Sequence, residues 1–116
     1  SLHFAPSTHA VPNLAVRVEA EGGAVCYSGD GMFTEAGRDL FSGAALVIHE
    51  AYWFEKAPVH ADIGALATLP EEAGIGQLAF VHVHRKLRSA PERILELVGN
   101  SSGRLALPEP GERFQI

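Results

Sequence analysis

Ala24-Val25-Cys26-Tyr27-Ser28-Gly29-Asp30-Gly31 joins a short apolar, β-prone run to an aspartate held between two glycines. A carboxylate at the carboxyl end of a buried strand is costly unless a metal or a partner offsets its desolvation. Flanking glycines permit unusual φ values and close approach to a ligand. Two further runs end in the same way. Ala44-Ala45-Leu46-Val47-Ile48 enters His49-Glu50, and Leu78-Ala79-Phe80-Val81 enters His82-Val83-His84. Open α/β sheets place ligands at the carboxyl ends of their strands. Asp30, His49 and His82 are therefore the candidates for one shared site.

Outward from this stretch, Leu14 to Glu19 alternates in the manner of a half-buried strand, and Glu21-Gly22-Gly23 reads as a hairpin turn. Ser1 to Pro12, with Pro6 and Pro12, reads as an entry segment. Downstream, Thr34 is predicted to N-cap a short helix that carries Leu40-Phe41 and ends at Ser42-Gly43. The unbroken run Ala44 to Ile48 fits an interior strand covered on both faces. Tyr52, Trp53 and Phe54 suggest a loop with an aromatic wall.

Asp62 can open a helix over Ile63, Leu66, Ala67 and Leu69, which Pro70 kinks or restarts and Gly74 stops. Leu78 to His84 is predicted as a strand, and Pro91 as the start of a helix burying Ile94, Leu95, Leu97 and Val98. Gly103 to Leu107 completes the set as a short strand. This order is α/β, with helices on one face of a sheet whose other face needs a separate cover.

With 116 residues and 47% hydrophobic content, the chain suits a single domain with an ample core. A net charge of -5 with nine Lys and Arg argues against a domain held to its partner by phosphate neutralisation. The one cysteine, Cys26, excludes an internal disulfide and reads as a small core residue. No run approaches the roughly 20 apolar residues of a membrane span, and no signal peptide is visible at Ser1 to Pro6. A cytoplasmic protein with no membrane partner is expected. The first residue is Ser1 and not Met, which suits a piece of a longer chain.

A lone histidine is usually structural, and six are present. Asp30, His49 and His82 stand out because strand ends deliver them and because a mixture of Asp and His suits zinc. Spacing alone is not diagnostic, since no His-x-x-x-His or Cys-x-x-Cys clip occurs.

Five segments in order carry a resemblance. His9-Ala-Val-Pro-Asn-Leu-Ala-Val-Arg-Val, Tyr27-Ser-Gly-Asp30, Ile48-His49-Glu50-Ala51, His60 before a helix, and Phe80-Val81-His82 resemble the C-terminal half of the metallo-β-lactamase superfamily. The similarity is greatest to its tRNA 3′-endonuclease (RNase Z-like) and phosphodiesterase branch. The tail from Leu105 to Ile116 is similar to the ending of that fold. The resemblance implies that residues 1–116 form one domain or half-domain of an αββα sandwich, a mixed sheet with helices on one face.

By the same resemblance, Asp30 corresponds to the carboxylate bridging two zinc ions, with manganese or iron as alternatives, and His82 to the last metal ligand. His49 corresponds to a catalytic histidine at the scissile phosphate, with Glu50 orienting it. His9 matches a histidine that precedes the first strand of the resemblance and His60 a structural position. His84 stands where many relatives have a small polar residue and reads as a rim residue; it, His9 and Arg85, which forms a small basic cluster with Lys86 and Arg88, are the expected substrate contacts. The implied activity is metal-dependent hydrolysis of a phosphodiester, either a small molecule or RNA.

The superfamily's main motif, His-x-His-x-Asp-His, is absent from the chain. Pairing with a missing N-terminal half, or homo-oligomerisation, is therefore expected. Two alternatives stand beside the hydrolase: a non-catalytic half-domain that acts by association, and an iron-dependent oxidoreductase of the same superfamily.

Overall fold

A computed structural model describes residues 1–7, 13–31, 33–54 and 62–116. Six strands form one mixed sheet in sequence order: β1 (Leu2–Pro6), β2 (Leu14–Ala20), β3 (Gly23–Tyr27), β4 (Leu46–Glu50), β5 (Gln77–Val81) and β6 (Leu105–Ala106). The first three strands pair antiparallel, and β3 through β6 run parallel. Parallel neighbours need crossovers. These are supplied by α1 (Glu35–Phe41), by α2 (Ile63–Leu66) with α3 (Leu69–Ala73), and by α4 (Arg85–Ser89) with α5 (Glu92–Gly99).

Local chemistry sets the helix ends. The Thr34 hydroxyl accepts the Gly37 N–H at 3.0 Å and donates to Pro6 O at 3.2 Å, so it caps α1 and ties that helix to β1. Asp62 caps α2 through the Ala65 N–H at 2.6 Å. Pro70 lies in the first turn of α3, where a missing N–H costs nothing. Gly74 closes α3 in the left-handed region at φ 65°.

Successive residues of a strand face opposite sides, and the two sides of this sheet differ sharply. One side carries Ala15, Cys26, Val47, Leu78, Phe80 and Leu105, which are buried with Phe41, Ile63, Leu66, Leu69 and Ile94 of the helices. The other side carries Leu2, Phe4, Leu14, Val18 and Tyr27, all exposed large residues. The register makes them neighbours: Leu2 is opposite Val18, Phe4 opposite Val16, and Val16 opposite Tyr27. On β1, β2 and β3 this side is exposed and apolar, whereas on β4 and β5 its Leu46 and Ala79 are buried.

Four sequence expectations change. The entry segment contains a full strand, β1, because Leu2 to Pro6 finds its partner in β2. The strand expected over residues 44–48 lies at Leu46–Glu50, so His49 and Glu50 are ladder members opposite Phe80 and Val81. Strand β5 stops at Val81 because His82 adopts a left-handed φ of 54°. Leu95 is half exposed, and Ile94 is the fully buried residue of α5.

Candidate functional site

Because β3, β4 and β5 are parallel, their carboxyl ends lie along one edge of the sheet. Ser28 joins the first two of these ends. Its N–H donates to Ile48 O at 2.9 Å, and its buried hydroxyl accepts the Glu50 N–H at 2.8 Å and donates to Gly29 O at 2.7 Å. This small polar residue fixes where Glu50 sits. The only signal of it in the sequence is a serine directly after an apolar run.

Asp30 hangs from the next turn. Gly29 adopts φ 69°, and a Cβ there would come within 2.6 Å of Asn13 Oδ1. A Cβ on Gly31 would come within 2.8 Å of Asn13 Nδ2. The close approach that the glycines allow is thus to the Asn13 side chain. Asn13 Oδ1 accepts the Asp30 N–H at 3.3 Å, and Asn13 Nδ2 donates to Ser7 Oγ. Asn13, at the amino end of β2, therefore anchors the aspartate turn, a role only the antiparallel pairing discloses.

The structure brings together Asp30, Glu50 and His82. His82 Nδ1 is 3.8 Å from Asp30 Oδ1 and 3.8 Å from Glu50 Oε2. Both separations are ion-pair distances, longer than hydrogen bonds. Asp30 and His82 are about half exposed, whereas Glu50 has no solvent exposure. The Tyr27 phenol is raised above its ordinary range by burial first, then by the charges of Asp30 and Glu50, so it borders the same group. The left-handed backbone of His82 is uncommon for a residue with a Cβ, and such conformations gather at functional sites.

His49 is elsewhere. It lies between Ile48 and Glu50 on one strand, so its ring points to the helix side. There it meets Phe41 edge-on at 5.6 Å and Phe33 at 6.1 Å, and it is 1% exposed. Its Nδ1–H donates to Glu50 O at 2.7 Å. Burial pushes the imidazole down to about 4, outweighing the opposing effect of that hydrogen bond. Glu50 and His49 share a strand but face opposite ways, so the side chain of Glu50 reaches towards His82 and not towards the imidazole it was expected to orient.

His84 caps α4, its Nδ1 accepting the Lys86 N–H at 3.1 Å. Arg85 opens that helix and is exposed. His9 and His60 lie outside the described residues. Cys26 is buried as expected, its thiol raised chiefly by burial.

Asp30 and His82 offer one carboxylate and one imidazole, a donor pair that zinc accepts. Among the described residues, no group of three His, Cys, Asp or Glu is arranged to hold a metal ion. Catalytic zinc takes three protein ligands, so the pair fits as part of a coordination shell.

No protein-family model and no curated protein matches the sequence. Solved structures do. The chain is similar to the metallo-β-lactamase fold protein YhfI from Bacillus subtilis, with a TM-score of 0.78 and 20% identity over 98% of this chain and 49% of that one. It is similar to human tRNase Z, short form, with a TM-score of 0.68 and 22% identity over 93% and 39%. It is also similar to Zn2+-bound PqqB from Methylobacterium extorquens, with a TM-score of 0.69 and 16% identity over 100% and 50%. The chain has the α/β architecture of the metallo-β-lactamase fold and spans about half the length, or less, of these structures.

Proposed function

We propose that this chain is the C-terminal half of a metal-dependent hydrolase that cleaves phosphodiesters. The observation that carries the reading is the convergence of Asp30, Glu50 and His82 on one sheet edge, within a fold shared with a tRNase Z and a zinc-bound protein. Asp30 and His82 would hold metal, with zinc the first candidate. A bound metal ion supplies Lewis-acid polarisation of the phosphoryl oxygen and a nucleophile at neutral pH.

The chain's own residues have separate tasks. Glu50, wholly buried beside His82 Nδ1, sets the charge that orients the imidazole, as outer carboxylates do for metal-bound histidines. Arg85, exposed at the start of α4, would take the phosphate oxygens, with the half-buried His84 beside it. His49 is left out, because its ring is enclosed by Phe33 and Phe41.

The apolar sheet face is the surface on which the remaining half would pack, completing both the sandwich and the metal shell. The same face favours a second reading, a non-catalytic half-domain that acts by pairing with another chain. Among the described residues, no helix is long and apolar enough to cross a membrane.

Metal analysis of the full-length protein, with turnover of bis(p-nitrophenyl) phosphate, tests the hydrolase. Asp30→Ala is expected to lower metal content and to reduce turnover by more than the roughly hundredfold that loss of an outer carboxylate can cost. Turnover untouched by Asp30→Ala eliminates the assigned role, and iron without hydrolysis favours the oxidoreductase branch.

A further inference from the structure

A cavity of about 360 Å³ opens at the other end of the parallel strands from Asp30 and His82. Strand β6 begins at Leu105 and runs parallel to β5, so Arg104 stands at the amino end of the sheet. Pro70 of α3, Leu97 of α5 and Leu105 give the cavity an apolar wall. Pro70 and Leu105 are buried, and Leu97 is half-buried. Ser101 holds the loop between α5 and β6 in place. Its hydroxyl donates to Val98 O at 2.6 Å and accepts the Leu105 N–H at 3.0 Å. Ser102, also on the cavity wall, has a left-handed φ of 54°, uncommon for a residue with a Cβ.

Two opposite charges line the same cavity, Glu71 in the first turn of α3 and Arg104 just before β6. Both are exposed, and among the described residues neither side chain forms an ion pair or a hydrogen bond. Sites for small molecules start at about 300 Å³ and are mainly apolar with a few placed polar groups. This cavity matches that description at its small end. An anion alone would meet Glu71, and a cation alone would meet Arg104. A ligand that answers both carries a carboxylate and an ammonium close together on an apolar body. We propose that the cavity binds an apolar α-amino acid as its zwitterion. Arg104 takes the carboxylate, for which its planar fork is suited, Glu71 takes the ammonium, and the side chain lies against Leu97 and Leu105. The site is separate from the Asp30–His82 edge and needs no metal there.

Leucine is titrated into the 15N-labelled chain while the backbone amide resonances are followed. Three analogues each lack one feature: isocaproate has no ammonium, isopentylamine has no carboxylate, and glycine has no apolar side chain. Saturable shifts of the Ser102, Gly103 and Arg104 amides are expected with leucine. Isocaproate and isopentylamine should each bind about fivefold more weakly, the scale of an exposed ion pair. Glycine should bind at least about tenfold more weakly, since a leucine-sized side chain is left out. Arg104→Gln should weaken leucine about fivefold without weakening isopentylamine. Glu71→Gln should weaken leucine by a similar factor without weakening isocaproate. Both variants should keep the wild-type circular dichroism spectrum, because both side chains are exposed.

Leucine that binds no tighter than glycine overturns the proposal, and so does binding that leaves the Ser102 to Arg104 amides unmoved. Those comparisons need no variant. Leucine affinity equal in wild type and both variants overturns it as well.

Discussion

On the helix-covered side of the sheet, Val47, Leu78 and Phe80 are wholly buried, whereas on the reverse side Leu2, Phe4 and Leu14 keep 61%, 60% and 58% of their surface exposed. Both sides are apolar, and strand alternation alone assigns each residue to one or the other. The difference comes from the connections between strands, because the crossover helices all return to one side. An apolar patch of this kind, on the reverse of β1 to β3, is the feature that marks interaction surfaces in general. The same division runs through the site. Glu50 belongs to the edge group, and His49, one residue earlier, belongs to the core.

The strongest way to break this contrast is to cut a large side chain from each side. Phe80→Ala should cost about 3–5 kcal/mol, as buried aromatics do, while Phe4→Ala should stay within about 0.5 kcal/mol. Urea denaturation of both variants measures the difference, and equal losses would mean that the open face is packed in solution.

His49 sharpens the contrast by pH. Its imidazole titrates near 4 in the folded chain, against 6.5 for an ordinary histidine. The unfolded chain therefore binds a proton between these values that the folded chain refuses. Stability from this group is complete above 6.5 and declines as pH falls towards 4, by about 2 kcal/mol at pH 5. His49→Gln should flatten the denaturation profile between pH 7 and 5. A profile as steep as wild type would place the ring in water.

A smaller effect is expected at the cap of α1, the helix that closes the covered side over β1 and β2. Thr34→Ala should cost about 1 kcal/mol, read from the thermal midpoint. The smallest belongs to Leu95, half exposed on α5. Leu95→Gln should fall within about 0.5 kcal/mol of wild type, and a larger loss would return Leu95 to the core.

Much of this arrangement is legible in the sequence because its signals are local. Thr34, Asp62 and Gly74 mark helix ends by their own side chains or backbone freedom, and the apolar runs mark β3, β4 and β5. The features that escape are long-range or directional. Strand β1 depends on pairing with residues 14–18, and helix α4 hides in a charged run because its cap is the histidine His84, an unusual choice. The apolar runs lead to the edge where Asp30 and His82 lie 3.8 Å apart. The sequence does not disclose that His49 faces the helix side, because an apolar run does not reveal whether its strand continues for two more residues. Ser28 and Asn13, which hold the edge in place, act through bonds between segments that no spacing rule connects.

The proposal on which the rest depends is that the exposed reverse side of β1 to β3 is a docking surface. Sedimentation velocity on the 116-residue chain, beside a Phe4→Ser, Leu14→Ser, Val18→Thr variant, tests it most directly. Concentration-dependent association of the wild type that the triple variant abolishes is the predicted result. A wild-type chain that stays monomeric at every concentration would contradict it.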